Sequence, residues 1–371
     1  MKLTADEQSM LDGRQGKAKQ KAMDLLVRYG EALGAERFVD TNNVCGTVGA
    51  STPFLREYGQ KHGGMDAVFS EFNLDSAEVV EIPKVAVRSS HLQQGIDPEH
   101  AERQGIPVEV VTLHRKGEAY SAGLGIQMLN TCAPYTVGNV PARGEHCAWM
   151  ESSAVIYINS VLGARTNAEG RESAGCAMLT GKIPYWGYHL DENRLGTHHI
   201  ELDIDVDNIT DWGLLGYYVG ERVQDRIPVI SGVRHAPDLP KLKHFGAAAA
   251  SSGGVEMYHL VGFTPEAPTL QTAFGKNQPL MRLRYGKAER RMAYENLARR
   301  TNHPGVKAVA MALTQAEKYG TPVGQALRVM AKENRDLRLA EAEKKAASLP
   351  PKLTVPMIVF FLPVLFVVII G

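Results

Sequence analysis

Between Asn130 and Asn167 the chain gathers most of the side chains it could use for chemistry. The stretch NTCAPYTVGNVPARGEHCAWMESSAVIYINSVLGARTN holds Cys132 and Cys147 fifteen residues apart, an acid, a histidine, Ser152 and Ser153, and Arg165 beside Thr166 and Asn167. Thiolates bind soft metals, a guanidinium grips a carboxylate through two parallel hydrogen bonds, and hydroxyls orient a small polar ligand. Each group also has a plainer reading. Isolated cysteines are more often buried thiols than ligands, an arginine is as readily a salt-bridge partner, and serines ahead of an apolar run cap a helix. Spacing alone leaves both readings open.

The elements that must hold these groups alternate in type. Thr4 and Glu7 form a capping box that opens a helical stretch running to Leu33, with a break near Gly13. Residues 38–52 read as a strand feeding a polar loop, and residues 108–114 and 199–206 alternate as strands do. Residues 152–164 are apolar on most sides and read as a buried helix. Residues 244–262 read as helix, glycine turn and strand. Strands, helices and glycine-rich turns in alternation predict an α/β architecture.

Beyond Pro279 the texture changes. Residues 276–352 carry 17 Lys+Arg against 7 Asp+Glu, and the rest of the chain carries 24 against 34, so a net charge of zero hides two oppositely charged parts. Residues 287–299, 307–319 and 323–348 read as successive amphipathic helices. Residues 353–371, LTVPMIVFFLPVLFVVIIG, hold no charge. Nineteen residues of helix span roughly 28 Å, about one hydrocarbon core, and Lys344, Lys345 and Lys352 place the preceding segment in the cytoplasm. No basic and apolar leader opens the chain, so the acidic part is expected in reducing cytoplasm, anchored to the inner membrane by this last helix. All four cysteines, Cys45, Cys132, Cys147 and Cys176, lie in that acidic part.

The segments NTCAPYTVGNVP, GEHCAWMESSAV, NSVLGARTN, YWGYHLDENR and HFGAAAASSGGVEMYHLVGFTPEAPTL, with KLTADEQSMLDG and GGMDAVFSEF, resemble the aconitase X catalytic domain over residues 1–278. Residues 283–371 resemble the C-terminal half of a type II secretion system F protein of the Tad pilus kind. The expected fold is therefore a truncated α/β aconitase-like catalytic domain (1–278), an α-helical bundle fragment (279–352) and one transmembrane helix (353–371).

The first resemblance implies a hydro-lyase that dehydrates a small hydroxy acid, hydroxyproline-like, with iron or an iron–sulfur cluster. It places Cys132 on the metal, with Cys147 and Cys45 as further candidate ligands and Cys176 in packing. Ser152, Ser153 and His189 are the expected catalytic residues. Asn159, Arg165, Thr166, Asn167, Arg194, Ser251, Ser252 and His259 are expected to meet substrate. It also implies a further cysteine segment after TPEAPTL and a swivel domain or separate swivel subunit, neither of which these residues include, so little turnover is expected of this chain alone. The rival reading is a membrane platform component of a secretion or pilus system with the N-terminal part as passenger. No nucleic acid is expected as a partner.

Overall fold

The computed structural model describes residues 1–48, 55–57, 64–92, 96–97, 99–319 and 323–347. It divides into two compact units, Met1–Lys287 and Ala288–Gly371.

The first unit opens as its capping box dictates. The Glu7 amide donates to Thr4 Oγ1 at 3.3 Å and the Thr4 amide to Glu7 Oε2 at 2.7 Å, which starts α1 (Ala5–Leu11). In α2 (Lys17–Ala32) the residues Ala18, Ala22, Leu25 and Leu26 recur at helical spacing and are buried. β1 (Phe38–Asp40) leads into β2 (Asn43–Gly46), followed by α3 (Met65–Leu74), β3 (Arg88–His91), α4 (Val108–Gly123) and β4 (Cys147–Trp149). The strands β3-β2-β4 form a parallel sheet in that order. Beyond β4 come α5 (Ser152–Tyr157), α6 (Arg171–Thr180) and β5 (Lys182–Pro184), which pairs antiparallel with β1.

The two faces of this small sheet differ. Val44 and Ala148 join Ala174, Ala177 and Met178 of α6 in the main hydrophobic core. Alternation then turns Asn43, Cys45, Ser90, Cys147 and Trp149 to the opposite face.

A second sheet is wholly parallel, in the order β8-β7-β6-β9, from β6 (His198–Leu202), β7 (Pro228–Ser231), β8 (His259–Leu260) and β9 (Met281–Tyr285). Its crossovers β6 to β7 and β7 to β8 run through α7 (Ile209–Val223) and α8 (Leu239–Gly253), as parallel pairing requires. Glycines let these helices touch backbone to backbone. A Cβ on Gly253 would lie 1.9 Å from the Gly220 carbonyl oxygen, and one on Gly216 would lie 2.3 Å from that of Phe245. A short helix, α9 (Leu270–Phe274), precedes β9.

Two expectations are corrected. Residues 108–114 are helix, not strand. Leu113, Gly117, Tyr120, Ser121 and Leu124 form the inward stripe at helical spacing, whereas Val108 is 77% exposed, so the alternation had no core behind it. The part expected to be helical after residue 279 begins instead with strand β9, paired from Met281 to Tyr285 with β6.

In the second unit α10 (Lys287–Thr301), α11 (Pro304–Tyr319) and α12 (Val323–Ala347) follow the three expected amphipathic segments. The expected span at 353–371 lies outside the described residues. Among the described residues no helix is long and apolar enough to cross a membrane.

Candidate active site

The polar face of the first sheet carries a directed chain of hydrogen bonds. Trp149 Nε1 donates to Asn43 Oδ1 at 3.1 Å, Asn43 Nδ2 to Asn139 Oδ1 at 2.9 Å, and Asn139 Nδ2 to Ser90 Oγ at 3.1 Å. Ser90 in turn hydrogen-bonds Cys45, its direct partner in the ladder. Asn43, Asn139, Ser90, Cys45 and Trp149 are all buried, so each amide needs its partner. This network fastens the loop after Leu129, which carries Cys132, onto the sheet.

The Cys132 and Glu151 side chains both act on the Cys45 thiol, and Glu151 also acts on Cys132 and Tyr135. Burial first, then the neighbouring carboxylate, pushes both thiols up, Cys45 to about 11. Cys132 is partly exposed, whereas Cys147 is fully buried and donates to the Glu145 carbonyl at 3.7 Å. Cys176 donates to the Asn73 carbonyl within the core, the packing role expected of it.

At the carboxyl end of β3, His91 Nδ1 lies 3.1 Å from Asn130 Oδ1, and Asn130 Nδ2 donates to Glu118 Oε1 at 3.1 Å. The carboxylate fixes which way the amide points, so His91 Nδ1 is the donor and Nε2 keeps its lone pair. Asn130 adopts a left-handed backbone at φ 50°, which turns the chain towards Cys132. Burial holds His91 below the usual histidine range.

Cys45 thus lies within electrostatic reach of Cys132 and Glu151, near the carboxyl ends of parallel strands, where open α/β sheets bind ligands. The thiols do not fit an iron–sulfur cluster among the described residues. Such a cluster needs several thiolates, and no group of three or more Cys, His, Asp or Glu gathers there.

The second set of expected site residues lies elsewhere. Residues 165–168 run beside β4 as a short parallel extension, with Arg165 bridged to His146 and Ala168 to Trp149. Arg165 therefore sits at the opposite end of β4 from Trp149, roughly 10 Å away for three extended residues. Its NH1 donates to the His189 carbonyl at 2.8 Å and its NH2 pairs with Asp191. His189 Nδ1 faces His146 Nδ1 at 2.9 Å, and its buried Nε2 has no hydrogen-bond partner. Burial, then His146 and the nearby guanidiniums, depresses His189 to about 3, so it is neutral at physiological pH.

Several expected substrate contacts spend their polar atoms on the fold. Five residues of π-helix, Ile158–Leu162, follow α5 and bring in Asn159, which binds the Thr166 backbone from both sides, accepting from N at 3.0 Å and donating to O at 2.8 Å. Thr166 Oγ1 accepts from the Trp149 amide, and Asn167 holds the backbone of Trp186 and Tyr188. Arg194 is 2% exposed, pairs with Glu266 at 2.8 Å and donates to the Asn159 and Tyr188 carbonyls. His259 Nε2 lies 2.7 Å from the Arg194 carbonyl. Ser251 and Ser252 bond back to Ala247 and Ala248 within α8. Ser152 is exposed at the start of α5, and Ser153 Oγ donates to Glu151 Oε1 at 3.3 Å.

Sequence reasoning passed over His91, Asn130 and Glu151. Only the ladder shows that His91 ends the strand beside Cys45, and Glu151 was legible as the acid before the serine pair.

An α/β unit with the buried Cys45 thiol near the carboxyl ends of a parallel sheet narrows the class, and the family comparisons then name it. Residues 1–192 match the aconitase X first domain and residues 196–295 the aconitase X second domain. The chain belongs to the aconitase X family. Residues 280–371 also match type II secretion system (T2SS), protein F.

The phosphomevalonate dehydratase large subunit of Methanothermobacter thermautotrophicus is 39% identical over 271 residues, 71% of this chain and 62% of that protein. Its counterpart in Methanocaldococcus jannaschii is 34% identical over 314 residues, 82% and 73% respectively. The cis-3-hydroxy-L-proline dehydratase of Pseudomonas aeruginosa is 34% identical over 307 residues, 80% of this chain and 49% of that protein. The solved structure of Thermococcus kodakaraensis aconitase X in its holo-form matches with a TM-score of 0.62 and 34% identity, covering 80% of this chain and 70% of that one. The chain thus spans 62% of the first of these relatives and about half of the hydroxyproline enzyme.

Proposed function

We propose that residues 1–278 are the greater part of a hydro-lyase that dehydrates a small hydroxy acid, hydroxyproline-like, and that this chain alone turns it over poorly. The observation that carries this reading is the thiol face, where Cys132 and Glu151 act on Cys45 and His91 ends the neighbouring strand, in a chain whose relatives are named as dehydratases. Dehydration removes a hydroxyl and a proton from adjacent carbons, and the proton needs an acceptor within hydrogen-bond reach. Among the chain's own groups, the His91 Nε2 lone pair and the Glu151 carboxylate suit that task. Ser152 and Ser153, at the start of α5, supply hydroxyls that orient the substrate. Arg165, His189 and the Thr166–Asn167 backbone serve substrate as the anchored end of the site.

Iron is the Lewis acid that the resemblance implies, and the described thiols supply only part of a ligand set for it. Any iron that the anaerobically purified chain retains should therefore depend on Cys132. Cys132→Ala is expected to lower iron content more than Cys176→Ala, whose thiol is committed to Asn73. Equal loss in both variants would remove Cys132 from the site. Turnover of cis-3-hydroxy-L-proline is expected only after a swivel partner and a further cysteine-bearing segment are supplied. Brisk turnover by this chain with iron alone would mean it already holds every group the reaction needs.

A second reading rests on the match of residues 280–371 to protein F. The basic helices α10–α12 and the uncharged run after Lys352 suit attachment to the inner membrane, with residues 1–352 on its cytoplasmic side.

A further inference from the structure

The cluster around His146 holds more positive charge than it neutralises. Arg37 lies with its guanidinium carbon 4.0 Å above the Tyr185 ring, a stacking that orients the group while leaving the residue exposed. Tyr185 meets the His146 ring edge-on at 5.9 Å between centroids. Arg165 approaches the same imidazole from the short extension beside β4, held by the His189 carbonyl and Asp191. Asp191 is a carboxylate that acts on His146, and its side chain is 85% exposed, so solvent screens it well. The Arg194 charge also reaches His146, but Glu266 already occupies that guanidinium.

Few of the donors are spent. Arg37 NH1 gives one hydrogen bond, to the Phe38 carbonyl at 3.3 Å, and Arg165 gives one from each terminal nitrogen. A guanidinium has five N–H donors in a planar fork, so both retain capacity for an oxyanion. Beside them the fully buried His189 Nε2 has no hydrogen-bond partner.

We propose that Arg37, His146 and Arg165 form an oxyanion subsite that receives the carboxylate or phosphate of a small molecule. The proposal rests on the reading of Arg165 as a substrate clamp and extends it to two residues, Arg37 and His146, that the clamp alone would not require. The anion would lie between the exposed and the half-buried guanidinium, over the edge of the imidazole. It would sit at the end of β4 opposite Trp149, whose ladder partner is Cys45, so the subsite is built separately from the Cys45 end of the sheet.

The test is calorimetric titration of the full chain in mild detergent at low ionic strength with inorganic phosphate, and separately with acetate. Saturable binding of one equivalent is expected from at least one of the two, and the stronger arm identifies the anion. Arg37→Gln and Arg165→Gln should each weaken it about tenfold or more, as loss of a charge-assisted contact does. Arg222→Gln removes a cation stacked on Tyr218 in α7 and should leave binding unchanged. Arg37 is exposed, so Arg37→Gln decides the matter even if Arg165→Gln fails to fold. No saturable binding, binding unaltered in Arg37→Gln, or equal weakening in Arg222→Gln would overturn the subsite. Binding lost through Arg37 upholds it whatever hydroxy acid the chain turns over. Absent turnover with binding intact counts against the dehydratase reading alone.

Discussion

At the scale of single residues, Glu169 is the most exacting case. Its carboxyl is fully buried, accepts from Ser173 Oγ at 2.6 Å and Tyr29 at 3.4 Å, and leaves Oε1 without a hydrogen-bond partner. Burial raises it from the usual 4.5 to about 7. Between those values the folded chain holds a proton that the unfolded chain has released. Stability is therefore lost as pH rises from 4.5 through 7, by about 1.4 kcal/mol for each unit. Glu169→Gln keeps the shape and cannot ionise, so it should match the parent near pH 5 and melt higher at pH 8. Parallel melting curves at both pH values would dismiss the idea. Arg194 makes the opposite case, a charge fully paired inside the fold. Arg194→Ala leaves Glu266 and two carbonyls without their donor and should cost about 3–5 kcal/mol by denaturant titration. Neither role was legible beforehand. A sequence offers an arginine as a substrate clamp and a glutamate as a surface charge, and only burial decides otherwise.

Among the elements, legibility followed the presence of a core. Although Glu151, without a side-chain cap, and not a serine, stands at the N-cap of α5, residues 152–164 and 244–262 were readable because apolar runs and a glycine turn agree with what forms. The π-helix at Ile158–Leu162 was not, because a single wide turn leaves no periodic trace in five residues. Residues 108–114 alternated without a buried face and became helix. The crossing of α7 and α8 gives a sharp prediction at this scale. Gly253→Ala drives a methyl into the Gly220 carbonyl, where backbone has no rotamer to yield. It should lower the denaturant midpoint markedly with little change in slope, while Gly254→Asn, at a left-handed position with open space around it, should be mild. Comparable losses in both would mean the helices part readily.

For the whole molecule, two compositions meet in one chain. The acidic α/β unit and the basic helical unit each match a family, and the change of charge near residue 276 marked the join without any structure. The candidate site was half legible. Cys132 acts electrostatically on Cys45, but Cys45 and the Arg165 cluster lie at opposite ends of β4, a separation that linear proximity within residues 130–167 conceals. The uncharged run after Lys352 predicts that the full chain partitions with membranes and that a chain ending at Lys352 does not. Recovery of the full chain in a detergent-free supernatant would refute the anchoring.

The strand β9 lies within residues 280–295, the stretch that both family models match. It closes the second sheet at an edge, and from Met281 to Arg284 its side chains are largely exposed. Besides the contacts of Arg282 with His199 and Arg284 with Asp203 and the buried Tyr285 ring, what β6 meets in it is backbone, which every sequence short of proline presents alike. An edge of that kind selects weakly among sequences. It is therefore a position where a gene can exchange its downstream half while the encoded fold still finds a partner for its last strand. In genealogical terms β9 is a permissive seam, the stretch of this chain where two family likenesses overlap.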